Sequence, residues 1–225
     1  MKIKRLGHWT RDYLYAVQRG GNAFIFRKPP SHYLGHIEDT KPPIILIPGI
    51  FEKWHFLQAI ADPLSLKGHP VYALEHLGYN TKAIPGAAKL VRELIDEKNL
   101  RDIIIIAHSK GGLIGKYLLA FCNHDNRVKK VIAIATPFGG SRPARFILGE
   151  KFKELSPDGE TIQKLHRVKG VNDKIVSIFG IFDNHIWPES SSRLEGAENI
   201  QVEAYGHHRI LNNKKVIEII VDRVR

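Results

Sequence analysis

The stretch IIIIAHSKGGLIGK, residues 103–116, drops an apolar run into a serine flanked by small residues. Two devices use a strand that turns sharply into a helix: a backbone cradle for phosphate, and a nucleophile lifted on a strained turn. The cradle fails on spacing. Its lysine would be Lys116, with a glycine six positions earlier and a Ser or Thr after it, but Lys110 and Tyr117 stand there. The nucleophile fits on steric grounds. A turn that holds Ser109 clear of the sheet brings together the residues two before and two after it, which must be small, and these are Ala107 and Gly111.

A serine nucleophile needs a base, and the base needs an acid to orient it. On a sheet that carries such an elbow, the order along the chain is Ser, then Asp or Glu, then His, the later members on loops after strands. Asp183 follows the apolar run 175–181, and His207 follows the run 199–204. Asp183 is preferred to Glu189, which lies deeper in a loop rich in Pro and Ser. His207 is preferred to His208 because Gly206 supplies a sharp turn directly before it. His108, next to the serine, is expected to point away and be structural, and His185 to be a loop residue rather than a ligand. No group of His or carboxylates has metal-ligand spacing along the chain, and the chemistry calls for no cofactor and no metal.

The elements that must position these residues are legible as alternating patterns. Short apolar runs at 43–47, 71–74, 102–107, 128–135, 174–180 and 199–204 read as strands, and 56–66, 87–97, 110–121 and 210–224 as helices. Several strand runs are apolar without alternation, as in a parallel sheet covered on both faces. The order implies an α/β fold with a doubly wound, mostly parallel sheet, and 225 residues suit a single domain. Phe24-Ile25-Phe26 reads as a further, antiparallel edge strand. Residues 138–172 carry no strand pattern and mix apolar with basic side chains, among them Arg142, Phe146, Ile147, Leu148 and Phe152. They form a candidate cap or lid, the alternative being two short surface helices with no gating role.

The net charge of +11 is concentrated at the start, where seven Lys or Arg face one acid, Asp12, in the first 30 residues. Ile3, Leu6, Tyr13, Leu14 and Val17 fall near helical spacing within the N-terminal extension, residues 1–40, so a basic amphipathic helix is expected. It can pack on the body of the domain, the preferred reading, or make weak contact with an anionic membrane surface. No nucleic-acid module is present, so no nucleic-acid partner is expected. No run approaches the roughly 18 apolar residues that span a bilayer, and the first residues lack the apolar core of a secretory signal. One cysteine, Cys122, allows no internal disulfide and suits a buried helix face, so a cytoplasmic location is expected. Nothing in the sequence indicates an oligomeric state.

Four stretches carry a family resemblance that runs from about Pro43 to the C-terminus: IILIPGIF, IAHSKGG, IATPFGGS and SIFGIFDNHIWPESSSRLEGAENIQVEAYGHH. The chain resembles the α/β-hydrolases of the esterase/lipase kind, most of all the small bacterial triacylglycerol lipases with minimal lids. The resemblance implies an α/β-hydrolase fold, triad positions at Ser109, Asp183 and His207, and an oxyanion hole made by the amides of Ile50 and Lys110. It departs from the family at Pro48-Gly49, where His-Gly is common, and at Lys110, where Met is common and a charge would favour anionic or polar substrates. Phe51, Trp54, Phe56 and Phe138 are expected either to line an acyl-chain groove or to be plain core. The function expected is hydrolysis of a small-molecule or lipid carboxylic ester through an acyl-enzyme. The same triad serves thioesterases, amidases and acyltransferases, and a catalytically silent fold used for binding is the remaining alternative.

Overall fold

The computed structural model describes residues 2–146 and 149–224, so Ile147 and Leu148 of the candidate lid lie outside the described residues. Six strands form one sheet, all pairs parallel: β1 (Ile44–Ile47), β2 (Val71–Ala73), β3 (Ile103–His108), β4 (Val128–Ile134), β5 (Ile175–Phe182) and β6 (Glu198–Tyr205), in the spatial order β2-β1-β3-β4-β5-β6. The four isoleucines of β3 show why its run does not alternate. Ile103 and Ile105 pack into the cluster formed with α3 (Ile84–Glu97), α4 (Lys110–Phe121) and α6 (Glu160–Arg167). Ile104 and Ile106 pack on the opposite face, against α2 (Gln58–Ser65) and α7 (Lys214–Arg223). Each such side chain removed from water contributes about 1.5–3 kcal/mol, so burial on both faces fixes β3 at the centre of the sheet.

The register aligns the carboxyl ends of the central strands. Ile47 pairs with Ala107, and Ala107 with Ala133. The loops after β1, β3 and β4 therefore leave the sheet at one level, where ligand sites of open parallel sheets lie.

Three expectations change in detail. Phe24-Ile25-Phe26 is not an edge strand: α1 (Lys2–Ile25) runs through it, and the amide of Phe26 still donates to the Asn22 carbonyl at 2.8 Å, continuing the helical ladder. The stretch 56–66 divides into a 3-10 turn, Trp54–Leu57, and α2. The last helix begins at Lys214 because Asn213 caps it, its side chain accepting from the amides of Lys215 and Val216; residues 209–212 form a separate 3-10 turn. Among its described residues, the interval 138–172 carries no strand. It holds a 3-10 turn, Arg142–Arg145, then α5 (Glu150–Lys153) and α6. No helix among the described residues is long and apolar enough to cross a membrane.

Candidate active site

Ser109 lies between β3 and α4 with φ 52° and ψ −121°, a conformation that costs a non-glycine residue about 1–3 kcal/mol. Its amide donates to the Ile134 carbonyl at 2.9 Å, which ties the kink to the neighbouring strand. Gly111 is obligatory here, since a β-carbon on it would lie 2.1 Å from the Ile47 carbonyl oxygen. The small residues flanking the serine thus answer to a backbone approach between the elbow and the end of β1.

Asp183 directly follows β5, and His207 follows β6. His207 Nδ1 lies 2.8 Å from Asp183 Oδ2, while Asp183 Oδ1 accepts the amides of His185 and Ile186 at 2.7 and 2.8 Å. Burial alone would raise the Asp183 pKa, but the His207 imidazole and these bonds hold it below the usual carboxylate range. Burial lowers the pKa of His207, with Asp183 opposing. The result is a neutral imidazole that donates from Nδ1 to the carboxylate and keeps a lone pair on Nε2. The His207 amide is held in turn by Asn184 Oδ1 at 2.9 Å.

Ser109 and His207 both line a cavity of about 530 Å³ whose walls are mainly apolar: Trp9 and Tyr13 from α1, Phe51 after β1, Phe152 and Leu155 from the 138–172 interval, and Trp187. Ser109 is 8% exposed and His207 4%, so a group bound between them would be largely removed from water. A hydroxyl and a carboxylate-oriented imidazole on one mainly apolar cavity are the parts of a base-assisted nucleophile.

The loop after β1 is held on both sides of Ile50. The Gly49 amide donates to Glu52 Oε2 at 2.7 Å, and the amide of Phe51, which has φ 61°, donates to the Tyr79 carbonyl at 2.7 Å. Ile50 and Phe51 both line the cavity. Lys110 begins α4, so its amide stands at the positive end of the helix dipole. Its side chain does not reach the substrate side, contrary to expectation. It is fully buried, with Nζ donating to the carbonyls of Asn80 and Lys82 and lying 3.8 Å from Glu154 Oε2. Trp54 and Phe138 are corrected as well. Trp54 packs with Tyr33 in the core on the α2 side, and Phe138 lies in the cluster with α3 and α4, so neither is among the cavity walls. Phe56 is also core, on the α2 side.

The site contains residues that their place in the sequence did not single out. Glu52 is 3% exposed, and the Oε2 that receives the Gly49 amide is also 2.8 Å from His108 Nδ1. His108 Nε2 donates to the His207 carbonyl at 3.0 Å. The residue before the serine thus joins the loop after β1 to the loop after β6. His208 Nδ1 lies 2.9 Å from Asp12 Oδ2, and Asp12 Oδ1 accepts the amides of His208 and Arg209. Gly206, with φ 111°, leaves room for this carboxylate: a β-carbon there would come within 2.5 Å of Asp12 Oδ1. One signal was available, because Asp12 is the single acid of a basic segment. His185, expected to be only a loop residue, lines the cavity with its ring stacked on His207, centroids 4.7 Å apart.

Residues 42–156 match the family model described as alpha/beta hydrolase fold. Among solved structures, the mature form of a Bacillus licheniformis lipase is similar at TM-score 0.63 and 16% identity, covering 88% of this chain and 96% of that one. A monoacylglycerol lipase from Paleococcus ferrophilus is similar at TM-score 0.60 and 13% identity, over 82% and 95% of the two chains. An extracellular alpha/beta-hydrolase from a Paenibacillus species is similar at TM-score 0.57 and 18% identity, over 80% and 98%. At these identities the likeness is one of fold.

Proposed function

The chain belongs to the α/β-hydrolase fold family, and on that premise we propose that it is a serine hydrolase that cleaves carboxylic esters through an acyl-enzyme. Ser109 is the nucleophile, His207 the base that takes its proton, and Asp183 the acid that orients the imidazole and supports its charge. The amides of Ile50 and Lys110 receive the oxyanion. His207 then returns the proton to the leaving alcohol, and water, activated by the same imidazole, frees the acid.

The observation that carries this reading is that the strained Ser109 opens on the same cavity as an imidazole held at 2.8 Å by a buried carboxylate. The mainly apolar walls suit the acyl part of an ester. No cofactor enters these steps. On the same reading α1 is the contact with an anionic lipid surface: Leu6, Leu14, Val17 and Phe24 are exposed on it, and Tyr13 of the same helix lines the cavity. With a single cysteine the domain needs no oxidising compartment, and cytoplasmic residence goes with the proposal.

A fluorophosphonate probe tests the core of it. Labelling of the full chain that vanishes in Ser109→Ala, with a loss of about 10⁴-fold or more in ester hydrolysis, is the expected result. A folded wild type that takes up no probe refutes it and leaves a silent, binding fold. Thioesters, amides and transfer to other acceptors use the same parts. A series of nitrophenyl esters, the matching thioesters and anilides decides the leaving group and the chain length together.

A further inference from the structure

Beside the Asp183–His207 pair stands a second group that the proposed reaction does not use. Asp12 of α1, His185 after β5 and His208 after β6 bring three ligand-type atoms within 4.8 Å of one another. We propose that this is a binding site for a divalent transition ion of the zinc class, held by one carboxylate and two imidazoles and open to the cavity.

Each ligand is prepared in a way that a plain hydrogen-bonded pair does not need. Asp12 is fully buried, and its Oδ1 is occupied by the amides of His208 and Arg209, at 2.8 and 2.9 Å, which leaves Oδ2 to face His208 Nδ1 at 2.9 Å. The other ring nitrogen of His208 lies 3.5 Å from Glu52 Oε1. A carboxylate behind an imidazole is the usual support of a metal-bound histidine, fixing its tautomer and its direction. His185 Nε2 is buried and has no hydrogen-bond partner among the described residues, which leaves that nitrogen able to act as a ligand.

Tetrahedral ligands at zinc stand about 3.3 Å apart, from metal–ligand bonds of about 2.0 Å. Asp12 Oδ2 and His208 Nδ1, 2.9 Å apart, are already near that separation, and the set of three, within 4.8 Å of one another, closes by at most about 1.5 Å to reach it. The ion replaces the proton that Nδ1 shares with Asp12, and that proton leaves to solvent. Two imidazoles and one carboxylate favour zinc over calcium or magnesium, which take oxygen ligands. The fourth position faces the cavity that His185 and His208 line, so it holds water.

Occupancy has a consequence for the reaction, and this consequence rests on the proposed role of His207. The His185 ring is stacked on His207, interplanar angle 12°. An ion on His185 puts positive charge next to the imidazole that must itself become cationic, so zinc inhibits.

The test uses the untagged full chain, stripped with chelator and titrated with zinc chloride against a chromophoric competitor. One equivalent binds to the wild type and equally to Ser109→Ala. His185→Gln, which removes no hydrogen bond of its Nε2, weakens binding by about tenfold or more while its melting temperature stays unchanged. His124→Gln, on an exposed turn, has no effect. Ester hydrolysis by the wild type falls with zinc and returns with chelator, and His185→Gln resists. Absence of a one-to-one complex, or His185→Gln binding as the wild type does, overturns the site. Zinc binding as described in a chain that hydrolyses no ester instead overturns the functional reading and leaves the zinc site standing.

Discussion

At the scale of single residues, the candidate site depends on which nitrogen of His207 carries the proton. The Asp183 carboxylate, kept ionised by two amides and the imidazole, sets that choice. Asp183→Asn preserves shape and removes the charge, so the ring can turn to its other tautomer. Under the proposed mechanism kcat at neutral pH falls by roughly 10⁴-fold with little change in KM or melting temperature; a fall of less than about tenfold would remove Asp183 from the role assigned to it. Ser109, Asp183 and His207 were readable as candidates because each is announced by its immediate surroundings, a strand end and a turn. Glu52 and Asp12 were not, because a carboxylate does not declare in a sequence whether it faces water or two histidines from elsewhere in the chain.

At the scale of elements, the question is what holds the loops that carry these residues. The loop after β6 is fastened from outside the matched family segment, by Asp12 of α1. Asp12→Ala strands two partly buried amides and an imidazole, at up to about 1–3 kcal/mol for each unsatisfied group. Thermal unfolding is expected several degrees lower, with α1 cut by protease before the rest of the chain; an unchanged melting curve speaks against the clamp. On the far side, Arg92 of α3 reaches both Asp96 and Asp125, fastening α3 to the turn before β4. The Arg92 hydrogen bonds lower the Asp125 pKa from 3.8 to about 2. A depressed carboxylate stabilises above its unfolded pKa and loses that contribution as pH falls through the folded one. Arg92→Met should therefore melt below the wild type at pH 7, by a modest amount because the pair is exposed. The gap should narrow as pH falls from 3.8 towards 2; a gap independent of pH points to lost packing instead. The expected strand at 24–26 failed at this scale: an aromatic and β-branched triplet suits a strand, but it continues the helix that precedes it.

For the whole molecule, charge and exposed apolar surface coincide on α1. Leu14 and Val17 are 65% and 73% exposed, and Arg11, Arg27 and Lys28 stand in solvent nearby in the chain. If this face meets lipid, the full chain pellets with phosphatidylcholine vesicles that contain phosphatidylglycerol and not with phosphatidylcholine alone, and salt releases it. Leu14→Ser with Val17→Ser lowers the pelleted fraction and leaves hydrolysis of a soluble ester unchanged. Equal pelleting of both chains excludes the helix as the contact.

Local order along the chain determined the parallel sheet, the kink at Ser109 and the order of the three candidate residues, since strand runs, turns and small flanking residues act within a few positions of each other. Packing decided the rest. It turned Trp54 and Phe138 into core and took the Lys110 ammonium away from the cavity. It also carried Asp12 across almost the full length of the chain to His208. Which face a side chain presents, and what it meets there, is a property of elements already assembled, where burial and partner satisfaction between distant segments outweigh what any short stretch prefers.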